Sequence, residues 1–548
     1  MSSVTPRTSR VRPLPLSGHL RLGRPSEIWF KPALSVVAAI APPNLTLLAL
    51  GRLDLAVYTM AGSLCALYAH NRPYAARALT LVRVVLGMLG GLAVALVAAS
   101  LTTNAVVLVT VGALLAAVQK ALCDATRIGP PGNVIFTFVG SASLFAPQTL
   151  GQVPAHLGLA AAAGAWSWVV GMAPGLLRPH GPERRATAHA LSAAAVFAET
   201  GAPTARAGAA AAVHTAWQSL LSTGSAPRRA LARLVVRAEV ALAAPGDTDP
   251  ERLRSWARDL RGTGPVPLPD DLGATADELL GMEAELASPP RALHRRLGPL
   301  APIALRTALG CALAGYVSLA LGVGRPYWAL VTAASLYQAN VTLTWRRGVQ
   351  RVIGNLLGVL LFAAIAPLAH LNQLALVLCG LVFNFGAEAL ISRNYWLGSV
   401  CVTPMALLIT EFARHQEAAA LMADRVLDTL IGALVGFVAA IVVTNRRAGD
   451  RLDHALAAVD RARERAARLL AAGHAEPGAL ESARRALAAA LVELRATADA
   501  AAGEWWQRAL PEERVLRTEQ AGHRTLAATV RRQGLPASEG ARTEGART

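Results

Sequence analysis

The feature that most constrains this chain is the spacing of its charges: Asp, Glu, Lys and Arg leave uncharged gaps as long as a lipid bilayer is thick. A helix needs roughly 20 mostly apolar residues to cross the hydrocarbon. Inside it every backbone polar group must be satisfied within the protein, which selects helices over irregular chain. Pro32–Gly51 and Leu55–Asn71 are such gaps. Val84–Gln119 is long enough for two spans turning near Thr102–Asn104, and Ile128–Leu177 holds two more, broken by "APQTLGQVPAH". A second set falls at Ile303–Leu321, Tyr327–Val341, Val352–Leu368, Gln373–Phe385, Tyr395–Ile409 and Leu427–Val443. The expected fold is all-α: a polytopic membrane protein of about 12 transmembrane helices in two six-helix blocks, with cytosolic helical domains.

The expected organisation is a basic tail over 1–31, a first membrane block over 32–178 and a helical domain over 179–299. A second membrane block follows over 300–445, then a helical domain over 446–535 and a disordered tail over 536–548. "RLDHALAAVDRARERAARLLAAG" and "ESARRALAAALVELRATADA" set opposite charges at helical spacing, which suits a bundle or an oligomer contact, with Trp505 and Trp506 packed there. Pro42, Pro43 and Asn44 interrupt the first span and read either as a break that lines a cavity or as a kink.

The net charge of +18 sits on a chain that is 53% hydrophobic and only 16% charged. A nucleic-acid binder would spread its arginines over solvated faces; here they fall between apolar runs, so the expected partner is the lipid bilayer and not nucleic acid. Lys and Arg accumulate in cytoplasmic loops. With the N-terminal tail inside, the inner loops hold Arg72, Arg77, Arg83, Lys120, Arg127, Arg346, Arg347, Arg351 and Arg393. The outer loops and span ends hold Arg52, Arg325, Arg414 and Arg425. Both termini and the central domain are therefore expected in the cytoplasm, with the spans in the cytoplasmic membrane.

Only two lysines exist, Lys31 and Lys120, and neither follows a glycine, so no phosphate-binding loop of the GKS/GKT kind can form. The five cysteines are scattered without a CxxC pair, and no HExxH occurs. No catalytic set, cofactor or metal is expected.

The chain echoes itself. Arg351-Val-Ile-Gly-Asn-Leu-Leu-Gly358 has the same order of residue types as Arg425-Val-Leu-Asp-Thr-Leu-Ile-Gly432, and each follows a matched motif, "RPYW" at Arg325 and "RNYW" at Arg393. With Arg351 entering from inside and Arg425 from outside, the two helix triplets form an inverted three-plus-three repeat. Such repeats let a transporter alternate its openings around a central site. In the first block Arg83, Gly87 and Gly91 follow "NRPY" in the same manner. The pairs Gly354–Gly358 and Gly432–Gly436 let a neighbouring backbone approach closely. Arg347, Arg351, Gly354 and Gly358 share one helical stripe, with the cations at its mouth.

The stretch "RPYWALVTAASLYQANVTLTWRRGVQRVIGNLLGVLL" resembles the signature of the fusaric acid resistance protein-like family, also called integral membrane bound transporters or aromatic acid exporters. Tyr327, Trp328, Gln338, Asn340, Arg351, Gly354 and Gly358 stand at the family's motif positions. Asn355 stands where the family usually has Thr, although the second copy has Thr429 after Asp428. The resemblance implies a two-block membrane protein that exports aromatic or other organic acids.

Charged groups inside spans are costly and are functional candidates by default. Glu388 reads as a helix-end partner of Arg393 or as a titrating carboxylate. Asp428 reads as an i, i+3 partner of Arg425 or as a proton site. Tyr327, Trp328, Tyr395 and Trp396 read as interfacial belt residues, with substrate stacking the alternative. The expected function is a secondary exporter of small organic or aromatic anions, possessing transport-path candidates Arg83, Tyr327, Trp328, Gln338, Asn340, Arg347, Arg351, Asn355, Glu388, Arg425 and Asp428. The alternatives are an uncoupled anion conduit and a non-transporting scaffold; a homo-oligomer or an envelope protein is the expected protein partner.

Overall fold

The structure, a computed structural model, describes residues 18, 20–23, 25–222, 228–268, 297–338, 340–412, 417–443, 448–472, 477–502 and 511–534. Most of the expected basic tail, Trp505 and Trp506, and the expected disordered tail lie outside the described residues. Among the described residues there is no strand.

The first block comprises α1 (Phe30–Ala49), α2 (Ala56–Ser63, extended by 3-10 turns at Leu53–Leu55 and Leu64–Leu67), α3 (Tyr74–Leu101), α4 (Ala105–Thr126), α5 (Val134–Leu144) and α6 (Val153–Met172). Helices α7 (Gly181–Thr200), α8 (Pro203–Leu221), α9 (Arg228–Ala243) and α10 (Pro250–Arg261) follow. The second block is α11 (Ala301–Ala320), α12 (Pro326–Leu336), α13 (Val341–Ala369), α14 (Gln373–Ile391), α15 (Tyr395–Glu411) and α16 (Ala418–Val442). The chain continues with α17 (Ala448–Ala471), α18 (Pro477–Ala502) and α19 (Glu512–Gly534).

Among the described residues twelve apolar helical segments therefore stand in two sets of six, and 8 helices are long and apolar enough to cross a membrane alone. The four short members are α2, α5, α12 and α15, the second and fifth helix of each block. Large apolar side chains such as Leu86, Leu101, Leu360, Leu434 and Val442 are exposed on the long helices, as a lipid-facing surface requires.

Asparagines start several helices. Asn104 Oδ1 accepts from Val106 N at 3.0 Å, Asn340 Oδ1 from Leu343 N at 2.8 Å, and Asn372 Oδ1 from Ala375 N at 2.8 Å. Each cap satisfies donors that the first helical turn leaves open. Because the cap of α13 is Asn340, the helix begins at Val341 and not near Val352, so Arg347 and Arg351 lie well inside it rather than in front of it.

The prolines of the first span do not break it: α1 runs through Pro42 and Pro43. Each proline lacks the N–H that would bond four residues back, which frees the carbonyls of Ala38 and Ala39. Trp166 Nε1 donates to the Ala38 oxygen at 2.9 Å and Ser63 Oγ to that of Ala39 at 2.9 Å. Partners from α6 and α2 thus satisfy the freed carbonyls.

The blocks share one packing scheme. In each, the second helix lies along the sixth, the third along both fifth and sixth, the first on the second, and the fourth on the fifth. Between blocks, α1 packs on α14 and α4 on α11. The close approaches are made at glycines. A Cβ on Gly354 would stand 2.6 Å from Trp396 O, and one on Gly358 would stand 2.8 Å from Val400 O, both carbonyls belonging to α15. On the other side of the block, Gly432 and Gly436 press α16 against Ala329, Thr332 and Ala333 of α12.

Outside the membrane blocks, α7 to α10 enclose Leu191, Val235 and Leu253, and α17 to α19 enclose Leu456, Leu487 and Leu494. The two bundles meet through Arg484, which pairs with Glu239 at 3.0 Å, and Glu239 also accepts from Trp217 Nε1 at 2.8 Å. Both bundles adjoin the same end of the membrane helices: Asn340 Nδ2 donates to Asp499 O at 3.5 Å, and Glu27 pairs with Arg261 at 2.9 Å.

Gly358→Leu is expected to destabilise the protein by about 3 kcal/mol or more, since a helix backbone leaves the new side chain no room to repack. Gly90→Leu, where a Cβ meets nothing within 4 Å, should stay within about 0.5 kcal/mol. Thermal unfolding of the two variants in detergent checks this.

Candidate transport site

The site grows from the first residues of the two short helices of the second block. Pro326 at the start of α12 needs no N–H bond there, and the turn it opens carries Tyr327 and Trp328 inward, 8% and 0% exposed. These are not belt residues. Arg425 of α16 lays its guanidinium over the Trp328 ring at 4.9 Å, and Arg325 lies 5.2 Å from the same ring. The start of α15 is used in the same manner by α13. Arg347 sits over the Tyr395 ring at 3.3 Å, and Arg351 Nη1 donates to Tyr395 Oη at 3.3 Å. A desolvated cation on an aromatic face gains about 2 kcal/mol, which offsets part of the cost of taking the guanidinium out of water.

That offset leaves the charge uncompensated. Arg351 and Arg425 are 5% and 1% exposed, Arg347 is half-buried, and the acid on the inward stripe of α16 is Asp428. Asp428 does not pair with Arg425 one turn away: its Oδ1 accepts from Ser318 Oγ of α11 at 2.5 Å. Among the described residues, Arg425 Nε and Nη1, Arg351 Nε, both side-chain atoms of Asn355 and the indole N–H of Trp328 have no hydrogen-bond partner. Arg351, Tyr327, Asp428 and Tyr395 all act electrostatically on Arg425, so these groups share one neighbourhood. A buried arrangement with surplus positive charge and open donors has the chemistry of an anion site.

Beside it, a cavity of ≈ 370 Å³ opens between the blocks. Its wall takes residues from all four short helices: Met60 of α2, Phe138 of α5, Tyr327 of α12 and Ile409 of α15, with Arg325 and Phe145 adjoining. Phe145 and Tyr327 face each other with ring centroids 5.8 Å apart. The cavity wall is mostly apolar, with Arg325, Tyr327 and Thr410 its polar members, and it lies at the end of α12 remote from Asn340 and the helical bundles. At the near end the chain is closed. Leu20, Arg21 and Gly23 bond to Trp396 Nε1, Asn394 Nδ2 and Arg393 O at 3.4, 2.9 and 2.9 Å, and Asn394 Oδ1 also accepts from Gln350 Nε2 at 2.8 Å.

The other residues expected from the sequence stand elsewhere. Arg83 is exposed on α3, and the buried cation of that helix is Arg77. Gly87 faces Phe136 and Gly91 faces the Gln119 side chain, so neither meets a helix backbone. Gln338 Nε2 donates to Tyr337 O at 3.2 Å, and Asn340 is the cap of α13. Glu388 forms no ion pair with Arg393 among the described residues, while Lys120 and Asp124 pair at 3.1 Å. Sequence reasoning missed Arg325, Phe138, Phe145 and Ser318. Neither the cavity nor Ser318 had a signal in the apolar pattern, in which Gln373–Phe385 reads shorter than Tyr327–Val341 and Tyr395–Ile409.

The fold and this interior define a multi-pass all-α membrane protein with a buried cationic centre. Residues 312–439, nearly the whole second block, match the family model described as fusaric acid resistance protein-like. Over 152 residues the chain is 31% identical to the "Uncharacterized membrane protein YvaC" of Bacillus subtilis (strain 168), covering 27% of this chain and 24% of that protein. Over 134 residues it is 34% identical to an "Uncharacterized protein" of Haemophilus influenzae, covering 24% of this chain and 17% of that protein. The chain thus aligns with a quarter or less of the length of these curated relatives. No solved structure matches it at a significant level.

Trp328→Ala removes a fully buried ring that carries a cation and is expected to cost about 3–5 kcal/mol. Trp328→Phe, which keeps an aromatic face, should cost less than half of that. The difference in unfolding midpoint between the two purified variants is the readout.

Proposed function

We propose that this protein is a secondary exporter of small organic anions, of the aromatic carboxylic acid kind, from the cytoplasm across the cytoplasmic membrane. The observation that carries the reading is the pair Arg351 and Arg425, buried with open donors, together with a mostly apolar, partly aromatic cavity whose wall residue Tyr327 neighbours Arg425. A carboxylate satisfies guanidinium and amide donors, and a ring occupies the apolar wall, so one amphipathic anion answers both halves of the site.

Movement follows from the same elements. Arg351 and Arg425 occupy like positions in like triplets, α11–α13 and α14–α16, and each packs on the short helix of the other triplet. The shared packing scheme supports an inverted repeat in which one triplet rocks against the other along the glycine seams. The cavity lies at the end away from the helical bundles, and the near end is closed by residues 20–23. With the basic loops inside, this conformation is open to the outside, and export requires that near end to open in turn.

Uptake of labelled benzoate into everted vesicles tests the reading. Losing a charge-assisted hydrogen bond costs about 1.5–3 kcal/mol, so Arg351→Ala and Arg425→Ala should each lower flux tenfold or more, and Arg83→Ala should leave it unchanged. If the unsubstituted protein gives no flux above empty vesicles for any of a panel of aromatic acids, the reading fails. A steady current in a planar bilayer without a proton gradient would favour the uncoupled conduit.

A further inference from the structure

Asp428 is the buried acid of the cationic centre, and none of the elements described above uses its charge. It is 0% exposed, its Oδ1 is held by Ser318, and its Oδ2 has no partner among the described residues. It stands one helical turn from Arg425 and shares its surroundings with Asp424 on the same helix, with Arg325 just before α12 and with Tyr327 of α12, while Arg351 of α13 acts on Arg425. The carboxylate is thus an anion already resident at the anion site, held by a neutral hydroxyl and not by a guanidinium. In that interior a second carboxylate entering between Arg351 and Arg425 meets its negative charge at low dielectric.

By count Arg351 and Arg425 match two anions, but Asp428 is held by Ser318 and by neither arginine, and Arg325 also faces Asp424 at 3.8 Å, so the acid has no ion pair of its own once a cargo anion takes the open guanidinium donors. We infer that Asp428 is the coupling residue of the exporter: it competes with the cargo anion for the arginines, and it takes up one proton when the cargo binds and releases it when the cargo leaves. This rests on the anion-site reading above and adds the coupling ion to it. The proton sits on Oδ2, the open oxygen, while Oδ1 keeps its bond from Ser318, so protonation needs no rearrangement of α11 against α16. Because the proton is taken up with the anion and released with it, the two cross together, and each turnover carries one anion and one proton in the same direction with no net charge.

The test is calorimetric binding of benzoate to the full-length protein in detergent, between about pH 6 and about pH 8. Benzoate itself stays ionised there, like any carboxylic acid with a pKa near 4. The expected result is that Kd weakens up to tenfold per pH unit and that about one proton is taken up per benzoate bound, read from buffers of different ionisation enthalpy. Asp428→Asn should bind at the tight limit at every pH with no proton uptake. If Asp428→Asn unfolds, Ser318→Ala keeps the carboxylate and removes its donor, and should move the pH profile without abolishing it. Binding to the unsubstituted protein that is independent of pH, or a pH dependence that persists in Asp428→Asn, overturns the inference. Absence of benzoate binding at any pH overturns instead the anion-site reading on which it rests.

Discussion

Everything in the second block is organised around the burial of two guanidinium groups where helices cross. Removing an arginine from water costs several kcal/mol even after relaxation. The chain meets that cost by laying Arg425 over the Trp328 ring and bonding Arg351 to the Tyr395 hydroxyl, while the half-buried Arg347 lies over the Tyr395 ring. The rings stand at the start of α12 and α15, and both helices are short, so the arginines reach them inside the protein and not at its surface. Stacking leaves the in-plane donors of a guanidinium free, which is why the centre stays chemically open.

The glycine seams belong to the same design. Gly354 and Gly358 bring α13 against the carbonyls of Trp396 and Val400, and Gly432 brings α16 against Ala329. At Gly354, Gly358 and Gly432 backbone meets backbone, and at Gly436 the contact is with Ala333 and the Leu336 side chain. Pro404 lies four residues after Val400, so the Val400 carbonyl has no helical donor and is turned to the seam at Gly358. Close packing, cation stacking and a backbone irregularity therefore coincide at the boundary between the triplets.

Much of this was legible in the sequence, and for physical reasons. Uncharged gaps locate spans because lipid tolerates few charges, so the turn at Thr102–Asn104 and the break before Val153 fall where the pattern puts them. Matched motifs at Arg351 and Arg425 mark matched places in the packing because a close approach admits only glycine. What a one-dimensional pattern cannot carry is the direction of a side chain. Tyr327 and Trp328 read as belt residues because a span-end position and an interface position have the same composition. Arg83 matched the motif yet faces outward, and Arg77, four residues into α3, is the one buried. Asp428 is spaced to pair with Arg425 and bonds instead to Ser318, 110 positions away. The cavity is assembled from both blocks, so no single stretch announces it.

The central claim is that Arg351 and Arg425 bind one anion between them. A crystal structure with an iodinated benzoate tests it most directly. The account predicts a carboxylate within hydrogen-bond distance of both guanidinium groups and an iodine anomalous peak in the wall formed by Phe145 and Tyr327. Iodine found only on the outer, lipid-facing surface, with the two arginines unchanged, would contradict it.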